Sequence, residues 1–162
     1  MGYDEHYEGS GEGSVASLPY ARDGVLNTIA EGVDPSQIIL GMPFYTRLWQ
    51  ESPKTEAPSE KDLASEDYVP YDLSSQILTM GTQNLTIASH GAEVRWLEEL
   101  GQNYAEYQEG NNTFKIWMED GASLERKLQV VKENNIAGGA FWKAELETPD
   151  VWDVIVGYLG QG

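Results

Sequence analysis

The stretch Ile38-Ile-Leu-Gly-Met-Pro-Phe-Tyr-Thr-Arg-Leu-Trp49 begins as a continuous apolar run and ends in polar and aromatic side chains. A short apolar run bounded by prolines is typical of a strand buried on both faces, so we predict such a strand over Ile38–Phe44. Ligand sites of α/β folds lie just past the carboxyl ends of these strands, where Tyr45, Arg47 and Trp49 follow. Packing at the rim of the sheet explains the same side chains equally well.

The composition favours a folded protein with a neutral ligand. The 162 residues fit one domain, and 40% of them are hydrophobic. Against 27 Asp and Glu there are 10 Lys and Arg, and the net charge of −17 disfavours nucleic acids and membrane surfaces as partners. The chain has no cysteine, so disulfides, thiolate metal sites and cysteine nucleophiles are excluded. No apolar run approaches the roughly 20 residues that span a bilayer.

Helix and strand patterns alternate on either side of a central segment. The first helix is predicted to begin at the N-cap Ser17 and to end at Gly32, ahead of the strand. After the central segment, a helix capped by Ser123 ends at Asn134, and Ile136–Trp142 forms a second buried strand. A last helix follows. Such alternation predicts a parallel sheet, and because two full strands are too few, we expect the chain to be part of a larger sheet.

Residues 50–118 differ from this frame and are predicted to form an inserted α+β subdomain, while 1–49 and 119–162 form the other unit. Three prolines within 50–71 predict a surface excursion without regular structure. A helix is predicted over Ile77–Ser89. Three short strand patterns follow and predict an antiparallel meander. They cover Glu93–Leu97, Asn103–Gln108 and Thr113–Met118.

Three segments resemble the last three strands of the (β/α)8 barrels of glycoside hydrolase family 18, the chitinase-like enzymes. They are Met1-Gly-Tyr-Asp4, Gly41-Met-Pro-Phe-Tyr-Thr-Arg47 and Gly138-Gly-Ala-Phe-Trp142. Residues 50–118 resemble the family's α+β insertion, and Ile116-Trp-Met-Glu-Asp120 resembles the segment that closes it. Tyr3-Asp-Glu-His6 is most similar to the bacterial spore-cortex and cell-wall branch. The resemblance implies an α/β fold, a partial TIM barrel of the last three βα units with an inserted α+β subdomain.

The resemblance also implies a chemistry for three residues. Enzymes of this family hydrolyse β-1,4 linkages next to N-acetylglucosamine by using the sugar's own 2-acetamido group, while a glutamic acid protonates the leaving oxygen. Tyr3 matches the tyrosine whose hydroxyl holds the acetamido group. Asp4 matches an aspartate that forms a hydrogen bond with the sugar near the cleaved linkage, and Trp142 matches the tryptophan on which the apolar face of the sugar stacks.

The remaining candidates are supporting residues. Tyr45 and Arg47 match cleft-lining positions, and Met1 matches the residue packed beneath the sugar, although ordinary packing at a barrel mouth explains them as well. No cofactor is implied. Asp4 and His6 invite a metal hypothesis, but neither histidine stands in a His-Glu-x-x-His spacing, and an acidic loop explains these residues.

The sequence departs from the family pattern at the general acid. The catalytic glutamate of the family belongs to an Asp-x-x-Asp-x-Asp-x-Glu motif on the fourth strand, and these 162 residues contain no such motif. Glu5 and Glu8 are expected to be solvated loop acids rather than substitutes. We therefore expect the chain to supply substrate-binding residues to a family 18-like glycosidase and to have no glycosidase activity alone. A lectin-like carbohydrate-binding protein or a scaffold is the alternative.

The implied binding partner is an N-acetylglucosamine polysaccharide, either chitin or peptidoglycan. The resemblance implies a location outside the cytoplasm, in the cell wall or spore, although Met1–Tyr7 lacks the basic start and apolar core of a signal peptide. Because two parallel strands with open edges invite pairing between chains, a homodimer or swapped assembly is a further expectation.

Overall fold

The computed structural model describes residues 1–159, which form a parallel strand pair, a separate antiparallel sheet and five α-helices. No helix of this part of the chain is long and apolar enough to cross a membrane. In chain order the elements are α1 (Leu18–Ala30), a 3₁₀ turn (Pro35–Gln37), β1 (Ile39–Pro43), β2 (Tyr45–Pro53), α2 (Glu60–Leu63), β3 (Tyr71–Thr79), α3 (Met80–His90), β4 (Val94–Leu97), β5 (Gln102–Glu109), β6 (Asn112–Trp117), α4 (Gly121–Glu133), β7 (Gly138–Trp142) and α5 (Val151–Leu159).

The strands β1 and β7 pair in parallel, as the alternation of helix and strand patterns predicts. Their register runs from Ile39 opposite Gly138 to Pro43 opposite Trp142. The predicted burial holds for most of β1 but fails at Ile39, which is 61% exposed, and it is wrong for β7, whose five residues are all exposed or half-buried. The helices described below cover one face of the pair.

The segment Met1–Asp4 is not a strand, although the resemblance implied one. It runs beside β1, where the Gly2 N–H donates to the Gly41 carbonyl at 2.9 Å. Glycine at position 41 permits this approach, because a Cβ there would lie 3.2 Å from the Tyr3 ring and 3.6 Å from the Met1 Cα. The structure therefore places this segment next to β1, with β7 on the other side.

The first hydrophobic core lies between the strand pair and helices α1, α4 and α5. Its buried members include Val25 of α1, Leu40 and Met42 of β1, Leu128 of α4 and Ile155 of α5. Full burial of an aliphatic side chain of this size contributes about 1.5–3 kcal/mol. This core therefore fixes β1, and with it the residues that follow β1, against the helices.

The helix ends agree with the sequence in two cases and differ in one. Ser17 caps α1 by accepting the Tyr20 N–H at 3.3 Å, and Asn134 is the C-cap of α4, as predicted. The predicted N-cap Ser123 is wrong, because Asp120 holds that position. Asp120 accepts the Ser123 N–H at 2.9 Å, and the Ser123 hydroxyl accepts the Asp120 N–H at 3.0 Å. In such a capping box both residue types are cap formers, so the sequence alone suggests either one.

The antiparallel sheet has the strand order β3-β2-β6-β5-β4, which confirms the predicted meander of β4, β5 and β6. The predicted excursion is wrong at its start, because β2 continues to Pro53, and it is not without regular structure, because it contains the short helix α2; its predicted end agrees with the start of β3 at Tyr71. The prolines flank the pairing rather than prevent it, and just beyond it the Lys54 N–H donates to the Pro70 carbonyl at 3.0 Å. The sheet starts at Tyr45, ahead of the subdomain boundary predicted at residue 50.

Helix α3 begins later than the sequence predicts, because residues 77–79 belong to β3. Thr79 caps the helix by accepting the Thr82 N–H at 3.0 Å, and Gly91 ends it in the left-handed conformation. The helix packs on one face of the antiparallel sheet and forms a second core there. The buried members of this core include Leu48, Leu78, Ile87, Phe114 and Ile116.

A buried polar network around Glu119 and Lys127 joins the sheet to helix α4. Both side chains are fully buried, and the Lys127 ammonium donates to the two Glu119 oxygens at 2.6 and 2.8 Å. The Gln102 amide and the Ser123 hydroxyl donate to the same carboxylate at 2.7 and 2.9 Å. Burial raises the pKa of Glu119 to about 7, and Lys127 opposes that rise. Because Gln102 lies on β5 and Lys127 on α4, the network fixes the sheet relative to the helices.

Candidate functional site

The Asp4 carboxylate and the Tyr45 hydroxyl meet just past the carboxyl end of β1. Tyr45 opens β2, and its hydroxyl donates to Asp4 Oδ1 at 2.5 Å. The Tyr45 side chain is 6% exposed, whereas Asp4 is exposed. Burial, followed by the bond to Asp4, raises the pKa of Tyr45 well above its ordinary value. The Tyr45 hydroxyl therefore keeps its proton and orients the carboxylate as a donor.

Tyr3 packs against the same tyrosine. The rings of Tyr3 and Tyr45 meet edge to face, with centroids 6.2 Å apart and an interplanar angle of 77°. Asp4 has a φ of +62°, a left-handed conformation that aspartate adopts more readily than most residues. We call Tyr3, Asp4 and Tyr45 the tyrosine–aspartate cluster. Its members come from two segments that are about 40 residues apart in sequence and that β1 brings together.

Trp142 lies at the last position of β7, directly across from the end of β1. Its carbonyl accepts the Phe44 N–H at 2.7 Å, one residue before Tyr45. The indole is 56% exposed, whereas the neighbouring Phe141 ring stacks on Phe44 at 4.9 Å. An exposed indole of this kind can pack against the apolar face of a polar ligand.

Arg47 and Met1 lie further out. The Arg47 Nη1 donates to the Ser75 hydroxyl at 2.9 Å, while its Nε is buried without a hydrogen-bond partner in the part of the chain described. The guanidinium is close enough to Tyr45 to oppose the rise in the pKa of that residue. Met1 is 90% exposed and lies beside Gly41, with its side chain in solvent. Arg47 therefore adjoins the tyrosine–aspartate cluster, whereas Met1 has no packing role here.

For Trp49 the packing alternative holds, and the expectation for Glu5 is wrong. Trp49 is 1% exposed and its indole N–H donates to the Gly13 carbonyl at 2.8 Å, so it packs the interior and is not a ligand residue. Glu5 is not a solvated acid, because its carboxylate accepts the Ser17 N–H at 2.8 Å and the Ser17 hydroxyl at 3.0 Å. It secures the start of α1. Glu8 is exposed, as expected.

One cluster of ion pairs, around Lys115, is not predicted by any pattern in the sequence. The Lys115 ammonium on β6 donates to Glu12 at 2.7 Å and to Glu51 at 2.8 Å, and this ties the glycine-rich loop of residues 8–14 to the sheet. Glu12 and Lys115 are too far apart in sequence for any local pattern to pair them. No group of three or more His, Asp or Glu side chains that could hold a metal ion occurs within residues 1–159.

Residues 1–147 match the profile of the family described as Glycosyl hydrolases family 18. The chain belongs to glycoside hydrolase family 18. The resemblance of its three strand segments to that family is thereby confirmed.

Relatives of this family 18 chain include bacterial and human proteins. The cortical fragment-lytic enzyme of Bacillus subtilis is 26% identical over 108 residues, which are 60% of this chain and 25% of that enzyme. A chitinase from Chromobacterium violaceum shares the fold with a TM-score of 0.78 and 21% identity, over 100% of this chain and 45% of its own. Human YKL-39 is described as a pseudo-chitinase with retained chitooligosaccharide binding properties. It has a TM-score of 0.72 and 19% identity, over 99% of this chain and 50% of its own. The chain spans half or less of the length of each.

Proposed function

We propose that this chain forms the last three βα units of a (β/α)8 barrel and supplies sugar-binding residues to a glycosidase that acts on an N-acetylglucosamine polysaccharide. The observation that carries the proposal is that the tyrosine–aspartate cluster lies just past the end of β1 and the exposed Trp142 ends β7, the strand paired with β1. The neighbouring positions of Met1–Asp4, β1 and β7 support the barrel, because consecutive barrel strands lie side by side in this way.

In this proposal the cluster binds the sugar at the cleaved linkage. The Tyr3 hydroxyl holds the 2-acetamido group in line with the anomeric carbon, and the Asp4 carboxylate accepts a hydrogen bond from the same sugar. Tyr45 holds Asp4 in place through its buried hydroxyl. The Trp142 indole stacks on the apolar face of the ring. Because each of these groups binds the sugar or orients a group that does, the four side chains favour positioning of the substrate over proton transfer.

Arg47 and Met1 complete the proposed cleft. A guanidinium has five N–H donors, and the Arg47–Ser75 bond uses one of its nitrogens, so further donors remain for sugar hydroxyls. Met1 would pack beneath the sugar only when the rest of the barrel surrounds it, since its side chain is in solvent here.

The proton for the leaving group is not supplied by this chain. No Asp-x-x-Asp-x-Asp-x-Glu motif is present, and Glu5, an acid close to the cluster in sequence, is engaged with Ser17. We therefore propose that the chain binds chitooligosaccharides without hydrolysing them. The names of the relatives suggest chitin or the glycan of the spore cortex as the polymer, and hence a location in the cell wall or spore.

Calorimetry with chitotetraose tests the proposal. The wild-type chain should bind, and Trp142→Ala should weaken binding by about five- to tenfold, because stacking of an aromatic ring on a sugar is worth about 1–1.4 kcal/mol. Trp96→Ala on β4, an indole of comparable exposure remote from the cluster, is the matched control. No binding by the wild type, or equal losses for both variants, would contradict the proposal, and release of shorter sugars by the chain would contradict its inactivity.

A binding protein without enzymatic activity is the second candidate. The description of YKL-39 as a pseudo-chitinase that retains binding favours it. The gene sequence upstream of Met1 distinguishes the two functions. A fourth-strand motif ending in glutamate supports an enzyme, whereas glutamine or leucine at that place supports a binding protein.

A further inference from the structure

Strand β3 is an open edge of the antiparallel sheet. The order β3-β2-β6-β5-β4 leaves β3 and β4 at the two edges, and no strand within residues 1–159 pairs with the outer side of β3. Its nine residues, Tyr71–Thr79, pair with β2 in continuous register on the inner side. At every second residue β3 therefore directs an N–H and a C=O outward, where another strand can form hydrogen bonds with them.

The two edges of this sheet differ in their protection against pairing. Strand β4 has only four residues, and Arg95 within it and Glu93 and Glu98 next to it are charged. Short, charged edges resist association with other strands. In β3 one residue of nine, Asp72, is charged, although 23% of the whole chain is charged. No proline interrupts β3 and its register has no bulge, so β3 lacks the features that usually block an edge.

We propose that β3 pairs antiparallel with β3 of a second copy of this chain, across a two-fold axis at Ser75. In this register Leu73 of one copy lies opposite Ile77 of the other, and this apolar pair occurs twice. Ile77 is 57% exposed and Leu73 half-buried on the same face of the strand. The two Asp72 carboxylates lie at opposite ends of the paired strands and do not face each other. A two-fold dimer of this kind closes and leaves no further edge of its type.

The choice of a second copy as the occupant rests on this self-complementarity. An open edge can form main-chain hydrogen bonds with any strand. The contact between Leu73 of one copy and Ile77 of the other favours pairing of β3 with itself, in one specific register. The parallel pair offers a competing surface, since β7 has no strand on its outer side within residues 1–159 and Ile39 of β1 is 61% exposed. Because two chains of net charge −17 repel each other and the interface has no ion pair, the dimer should strengthen as salt is raised.

Sedimentation velocity on the full chain over a range of concentrations tests the proposal. The wild type should show a monomer–dimer equilibrium that shifts toward the dimer at higher salt. Ile77→Glu and Leu73→Lys should each raise the dimer dissociation constant about tenfold or more, because each puts a charge opposite an apolar side chain twice per dimer. The double variant Leu73→Lys/Ile77→Glu should regain the dimer, since each Lys then faces a Glu of the other copy.

Val94→Lys on β4 and Ile39→Lys on β1 are matched controls, because both replace an exposed apolar residue on another strand. Both should leave the dimer unchanged, and circular dichroism should show that all variants remain folded. A wild-type chain that stays monomeric at millimolar concentration overturns the proposal. So does dissociation by Ile39→Lys in place of Ile77→Glu, which would assign the dimer to the parallel strands, and so does a double variant that fails to regain the dimer.

Discussion

Replacing Tyr45 by phenylalanine removes one oxygen from the tyrosine–aspartate cluster and keeps the buried ring. The lost bond joins the Tyr45 hydroxyl to Asp4 at 2.5 Å. A hydrogen bond to a charged group contributes about 1.5–3 kcal/mol when both partners are buried. Because Asp4 is exposed and water can replace the hydroxyl, we expect a loss of about 1 kcal/mol in the free energy of unfolding.

The expected loss in sugar binding is larger than this change in stability suggests. Without the hydroxyl, the exposed Asp4 carboxylate is no longer held, so chitotetraose should bind about tenfold more weakly, which corresponds to about 1.4 kcal/mol. Urea denaturation measures the stability and calorimetry measures the affinity. The cluster has no role in binding if Tyr45→Phe binds chitotetraose as tightly as the wild type.

Tyr104→Phe is the matched control for this substitution. The Tyr104 side chain is 5% exposed, and its hydroxyl donates to the exposed Glu106 carboxylate at 2.6 Å, two strands away from β2 in the sheet. It should lose a similar amount of stability and keep its affinity for the sugar. If both variants lose the same affinity, the effect of Tyr45→Phe comes from general destabilisation and not from the cluster.

Three further predictions concern the buried network and the approach of the first segment to β1. Lys127→Met leaves the Glu119 carboxylate buried without its ammonium and should lower the free energy of unfolding by about 3–5 kcal/mol in urea denaturation. Burial raises the pKa of Glu119 from 4.5 to about 7, so the folded state binds the carboxyl proton of Glu119 more tightly than the unfolded state does. The resulting contribution to the free energy of unfolding is present below pH 4.5 and is lost as the pH rises to about 7. Denaturation of the wild type should show this decline and Glu119→Gln should not; parallel pH profiles would contradict the shift. Gly41→Ala places a Cβ 3.2 Å from the Tyr3 ring. Chitotetraose binding should therefore weaken several-fold, while the free energy of unfolding should change by less than about 1 kcal/mol. Unchanged binding would show that the position of Tyr3 does not depend on its close approach to residue 41.

Local patterns predict the elements whose own residues determine them. The cap at Ser17, the parallel pair and the β4–β6 meander follow from side-chain type, alternation and turn residues close in sequence. Strand β3 has no such pattern, because Asp72-Leu-Ser-Ser-Gln76 is poor in β-branched and aromatic residues. Pairing with β2 along its whole length makes it a strand, and Ile77–Thr79 therefore continue β3 instead of opening α3.

The site depends on contacts that no sequence pattern contains. The resemblance selects Tyr3, Asp4 and Tyr45, but the bond between Asp4 and Tyr45 follows from the fold, because β1 brings the two segments together. The same holds for Glu5, which becomes a hydrogen-bond acceptor for Ser17 only when the loop closes on α1. The predicted burial fails at Ile39 and along β7, because an apolar run predicts burial but cannot show whether a covering layer is present.

Nuclear magnetic resonance titration of the chain with chitotetraose, compared with cellotetraose, tests the central claim most directly. The two sugars share the β-1,4 linkage, and only chitotetraose has the acetamido groups that Tyr3 is proposed to hold. We predict that chitotetraose shifts the backbone amide signals of Tyr3, Asp4, Tyr45 and Trp142, that cellotetraose does so at least tenfold more weakly, and that neither sugar is cleaved. Equal shifts with both sugars, shifts confined to β4 and β5, or no shifts at all would contradict it.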